Sequence, residues 1–200
     1  MKLGTIITLL LLSYLTLIGQ NSNSKDYYYE IPEAPDEYTE TNVIARLVDG
    51  LGFRFYWASE GLTDKDLMFK SVEGARTARE TLHHIYGLSL TLVDAVTGDP
   101  NYGPEEESGE WVYSELRLKT LANIQRASEL MKSAKPGDMD NYKITFVRGE
   151  NTSEFQFWNM INGPIADAIY HTGQVVTLRR ASGNPINPNI SVLNGKVRDN

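Results

Sequence analysis

The sequence predicts an all-α fold, an antiparallel four-helix bundle with a small β-hairpin before the last helix. Three observations lead there. Four segments repeat apolar residues at spacings of three and four, the period of a helix that buries one face. Connectors rich in Gly, Pro and acidic residues separate them, as in "GDPNYGPEEESGE" and "KPGD". One stretch, "YKITFVRGENTSEFQF", alternates instead and reads as two short strands around a turn.

The chain opens with Lys2, the apolar run "GTIITLLLLSYLTLIG" and polar "QNSNSKD". This is the order of a secretory signal peptide, expected over residues 1–19, with cleavage between Gly19 and Ser24. The run is short for a membrane span, which needs about 20 apolar residues; an uncleaved anchor is the competing reading. Export makes the expected location periplasmic or secreted, with no stable membrane association once the leader is gone. There is no Cys, which excludes disulfides, thiolate ligands, cysteine nucleophiles and lipoprotein attachment through a cysteine.

Removing the leader leaves 18 basic and 26 acidic residues, net −8. A surface of that sign repels nucleic acid phosphates, and no basic stripe offsets it. The remaining length suits one domain. Residues 20–37 read as an irregular N-terminal arm, because Pro32 and Pro35 oppose a helix; its three tyrosines can pack on the domain, which is expected over residues 38–200.

Thr41 or Asn42 is the expected cap of the first helix, with Ile44, Leu47, Val48, Leu51, Phe55, Ala58 and Leu62 in its stripe and Gly61 at its close. The second helix is expected over 76–97, with Ala78, Leu82, Ile85, Leu88, Leu92 and Val96 buried. The third is expected over 111–133, with Tyr113, Leu116, Ile124, Ala127 and Met131 in line. In the hairpin, Ile144 and Phe146 alternate on one side and Phe155 and Phe157 on the other. The fourth helix begins near Trp158 or Pro164 and runs to Ala181. The tail from Ser182 has too many turn residues for a helix; Ile190, Val192 and Leu193 are its expected anchors.

All three histidines fall on helices. Asp167 and His171 are four apart, so they share a face. Alone, such a pair is as readily a solvated Asp and a core His. It lies, however, on a polar stripe with Gln174, flanked by Ile165, Ile169 and Val176, and buried polar groups need partners. His83 and His84 point about 100° apart, so one of them serves; His84 lies nearer the buried stripe. The expected metal ligands are therefore His84, Asp167 and His171. Two imidazoles and a carboxylate leave coordination positions open, as catalytic sites do. Gln174 suits a bound water, a substrate or a structural hydrogen bond. Glu80 suits a salt bridge with Arg76. Arg179 and Arg180 complement the helix dipole. "NTS" at 151–153 and "NIS" at 189–191 match the glycosylation pattern.

These motifs resemble the DinB family of metal-binding four-helix bundles, which includes YfiT-type metal hydrolases and thiol-dependent transferases. The resemblance spans nearly the whole mature chain and rests on "ETLHHIYGLSL" and "DAIYHTGQVVTLRRASGNP". His84 matches the family's first ligand and His171 its last; Gly173, Gln174, Arg179, Arg180 and Gly183 match the flanking pattern. Asp167 stands where the family usually has a further His, which changes the charge and softness of the set. The resemblance implies a divalent cofactor, zinc by default with nickel, iron or manganese as alternatives. It also implies a metal-dependent hydrolase or thiol-dependent transferase acting on a small molecule; no residue stands out as its general base, Glu80 and Tyr170 being weak ones. The other reading is a non-catalytic binding or scaffold protein, with the tyrosine arm and the acidic loop as contact surfaces. A homodimer is left open.

Overall fold

The computed structural model describes residues 26–198; the expected leader lies outside them. Among the described residues no helix is long and apolar enough to cross a membrane. The elements are α1 (Glu40–Ser59), α2 (Asp64–Leu67), α3 (Ala78–Thr97), α4 (Tyr113–Lys132), β1 (Lys143–Arg148), β2 (Asn151–Gln156), α5 (Trp158–Met160), α6 (Ala166–Ser182), β3 (Ile190–Ser191) and β4 (Lys196–Val197). Helices α1, α3, α4 and α6 form the bundle, and the antiparallel β1–β2 hairpin precedes the last of them.

The order around the bundle comes from side-chain pairs. Helix α1 packs against α4 and α6, and α3 packs against the same two, so α1 and α3 sit on a diagonal. At the end of α1, Arg179 reaches the carbonyls of Trp57 and Ala58, so α1 and α6 run the same way. Ser59 meets Tyr113 and Asp49 meets Ser128, so α4 runs against α1. Arg79 meets Trp111 and Ser89 meets Asn123, so α3 and α4 are parallel neighbours. Two helices thus run each way. Parallel α3 and α4 need a connection that returns the length of a helix, ~30 Å. Residues 98–112 supply it and run back along α3. Pro104 packs over Gly87, Tyr86 donates to Glu105 at 2.6 Å, and His83 Nε2 lies 2.8 Å from Ser108 Oγ.

Local chemistry sets the helix ends. Thr39, rather than Thr41 or Asn42, caps α1 by accepting from the Asn42 amide at 3.2 Å. Thr77 caps α3 and accepts from the Glu80 amide, while Glu80 Oε2 accepts from the Thr77 amide at 2.7 Å. That reciprocal box spends the Glu80 carboxylate on the helix terminus rather than on Arg76. Most of the expected stripe residues are buried, but Leu47 lies at the surface; of the expected tail anchors Ile190 is half-buried, while Val192 and Leu193 are exposed. In the hairpin, Ile144 faces Phe155 across the ladder, and Phe146 meets Phe155 diagonally at 6.1 Å. Only Ile144 is fully buried; β2 is exposed throughout.

The N-terminal arm belongs to the core. Tyr28 is 2% exposed and donates to Asp49 at 3.2 Å. Its ring fills the space beside Gly52, where an added Cβ would lie 2.3 Å from it. Tyr29 packs on Tyr56 and Trp57. The Ile31 amide donates to Gly195 O at 2.8 Å, lacing the arm to the tail.

Candidate metal centre

The last helix is built in two pieces. Residues 158–160 are α-helical, 161–165 form a π turn around Gly163 and Pro164, and α6 begins immediately after. Pro164 brings no N–H, and Gly163 departs from helical dihedrals (φ −98°, ψ −106°). Both expected origins of this helix are therefore real, one on each side of a kink. Irregular turns of this kind recur at functional sites because they re-aim the helix beyond them. Here the turn places Asp167 in the first turn of α6, where the helix dipole favours an anion.

Asp167 faces α3. Its Oδ2 lies 3.2 Å from His84 Nε2 and its Oδ1 lies 3.3 Å from His171 Nε2. The two imidazole centroids are 4.6 Å apart at 87°. One donor atom from each residue lies within 4.8 Å of the others. His171 is nearly buried, and the other two are about a third to two-fifths exposed. The structure therefore brings together the three side chains singled out in the sequence. His83 turns away, to the crossover and Ser108, and burial together with Arg79 and His84 pulls its pKa down.

The hydrogen bonds around His171 constrain its protons. Its Nδ1 lies 2.7 Å from Gln174 Oε1. In the tautomer that donates Nδ1–H to this oxygen, Nε2 turns its lone pair towards the carboxylate oxygen 3.3 Å away and is free to ligate a cation shared with Asp167. A neutral His holding its other N–H on a carbonyl is the usual support of a metal-ligating imidazole. The donor set, two nitrogens and one oxygen, suits zinc and other divalent transition metals.

Two clefts meet at this cluster. One of about 480 Å³ is lined by Leu88, Gly163, Pro164 and Asp167. The other, about 560 Å³, is lined by His171, Gln174, Thr81, Ser71 and Arg76. Tyr170 borders both, with its ring 5.3 Å from that of His171. It remains exposed, whereas Glu80 is committed to its cap and is unsuited as a base.

Arg179 does more than complement a dipole. It is 4% exposed and donates to Trp57 O, Ala58 O and Asn184 O, satisfying carbonyls at the end of α1 that have no partner within that helix. The spacing of Val175, Arg179 and Ser182, all buried on one face, was the sequence signal for this. Gly183 closes α6 in the left-handed conformation (φ +100°). Of the two glycosylation matches, Asn151 is exposed, while Ser191 of the other is buried.

No family model matches the chain, and no curated protein matches its sequence. Among solved structures it is similar to YfiT from Bacillus subtilis, described as a probable metal-dependent hydrolase with an unusual four-helix bundle topology. The TM-score is 0.52 at 13% identity, over 78% of this chain and 98% of that one. The DinB-like motifs of the sequence and this likeness agree on the fold: the chain is a YfiT-like four-helix bundle.

Proposed function

We propose that His84, Asp167 and His171 hold a divalent metal ion and that the protein is an exported metal-dependent hydrolase of a small-molecule substrate. The observation that carries the metal is the convergence of one donor atom each from His84, Asp167 and His171 within 4.8 Å of one another, beside two clefts. The description of YfiT as a probable metal-dependent hydrolase supports the class of activity.

A bound divalent ion would supply a water of lowered pKa and polarise the carbonyl or phosphoryl oxygen of the substrate. The chain supplies the rest. Gln174 holds the His171 tautomer. Asp167 spans the two imidazoles and lowers the net charge of the centre. Tyr170 stands at the junction of the two clefts, where its hydroxyl can hydrogen-bond a substrate. Zinc is the first expectation; iron, nickel and manganese suit the same donors. Export removes the protein from the cytosolic thiol pool, which favours hydrolysis over thiol transfer. For the scaffold reading, Tyr28 is buried, while Tyr27 and the acidic side chains Glu106, Glu107 and Glu110 remain exposed.

Elemental analysis of protein from its native compartment tests this, on wild type and on His171→Ala, His84→Ala and Asp167→Ala. Stoichiometric metal in wild type and its loss in each variant is expected; equal content in all four would defeat the site. A turnover assay with the ion removed and restored tests the enzyme, and intact mass of the exported protein tests removal of residues 1–19.

A further inference from the structure

On the side of α6 away from His171 lies a third cavity, of about 500 Å³, between α1, α6 and the tail. This is within the ~300–1,000 Å³ typical of small-molecule sites. Its wall is apolar: Phe53 and Trp57 from α1, Ile169 and Val176 from α6, Ile190 and Val192 from the tail. One charged residue lines it, Arg54.

Arg54 stands apart from the other cations held in this fold. Lys132 has Asp49 at 2.6 Å and Arg117 has Glu60 at 2.5 Å. Arg179 has backbone carbonyls from two segments. Arg54 is half-buried, and burial lowers its pKa. Among the described residues it makes one hydrogen bond, to Gly50 O of its own helix at 2.9 Å, and no ion pair. Taking even part of a guanidinium out of water is unfavourable unless an anion and further acceptors compensate. The fork has five N–H donors, and its geometry fits a carboxylate with two of them.

We infer that the α1–α6–tail cavity binds a single-chain amphiphilic carboxylate, of the fatty-acid class, with its head on Arg54 and its alkyl chain along Ile169, Val176 and Val192. The wall offers the chain an apolar surface, and the carboxylate supplies the counter-charge that no described residue brings to Arg54. This site is separate from the metal centre and does not depend on it. Free acid is preferred over a bilayer because the wall is a concave slot, whereas a membrane surface would require a flat or convex apolar patch.

The test uses the metal-loaded mature chain and a dansylated undecanoic acid whose fluorescence rises in apolar surroundings. Dodecanoate is expected to displace the probe about tenfold more readily than dodecanol, the difference a charge-assisted pair supplies. Arg54→Gln should erase that preference and Arg54→Lys should retain part of it. Val192→Asp changes an exposed rim residue along the alkyl chain and should weaken both ligands, dodecanoate the more because of charge repulsion. Val176→Trp should block both. Circular dichroism and metal content should be unchanged in each variant. The inference is overturned by no probe binding to the folded chain, by equal displacement by acid and alcohol, or by an acid preference that survives Arg54→Gln. Flotation with phosphatidylglycerol vesicles without displacement by dodecanoate would also overturn it, assigning the face to a membrane.

Discussion

Two carboxylates of the bundle, Asp49 and Asp167, sit in polar clusters of opposite character. Asp49 is wholly buried between the arm, α1 and α4. It accepts from Tyr28 and from Ser128 at 2.6 Å, and its second oxygen pairs with Lys132 at 2.6 Å without the alignment of a hydrogen bond. Every neighbour brings a proton or a positive charge, and the negative field of Asp49 helps push the Tyr27 pKa up to about 12, burial being the larger cause. Asp167 is partly exposed, borders a cleft, and faces two imidazoles, one of which has its Nδ1 on Gln174. The first cluster is closed and electrically complete. The second is open to a cleft and brings three donor atoms within 4.8 Å of one another. A buried carboxylate supplied with donors stabilises a fold, whereas one beside two imidazoles at a cleft can share a cation with them.

Breaking the closed cluster should have the largest effect. Asp49→Ala strands Lys132 and should cost about 3–5 kcal/mol in chemical denaturation. Metal content of the folded fraction should stay constant; loss of metal with stability would mean that the two clusters are coupled. Gly52→Ala perturbs the same region by driving a methyl into the Tyr28 ring, with an expected cost of about 1–3 kcal/mol.

The open cluster should answer to ligand affinity rather than to denaturant. Gln174→Ala removes the support of His171 Nδ1 and should weaken metal binding about 10–100-fold at nearly unchanged stability. A loss of stability like that of Asp49→Ala would class the site as structural.

A third carboxylate gives a pH test. Burial opposes the charge of Asp66, yet hydrogen bonds from Ser182, Asn184 and Thr63 outweigh it and hold the carboxyl well below the usual range. Its folded pKa is depressed, so its contribution is complete above the unfolded value, about 3.9, and is lost as pH falls below that. Asp66→Asn should flatten the acid limb of a stability–pH profile; an unchanged slope would contradict the assignment.

The smallest effect belongs to the remaining histidine. His83→Ala removes a hydrogen bond to the crossover and should cost about 1 kcal/mol, with faster amide exchange near Ser108. Metal content should not move. If His83→Ala lost the metal and His84→Ala kept it, the α3 assignment would be reversed.

By itself the sequence determined four helices, a hairpin and one shared face. A stripe at helical spacing reports which side of a helix is buried, and an i, i+4 pair reports a shared side, because both depend on local geometry alone. It also separated His84 from His83, since about 100° of helix rotation is local too. Tertiary structure decided the rest. Which helix neighbours which depends on the path of the 98–112 crossover, and no period in the chain encodes that path. The arm carried no periodic signal, yet Tyr28 became core because Gly52 leaves a hole for its ring. Asp49, Arg54, Asp66 and Arg179 look alike in sequence, as charges on or beside helices. Whether each is paired, stranded or capping depends on residues up to 122 positions away, because an ion in a low-dielectric interior answers to whatever atom the fold puts beside it.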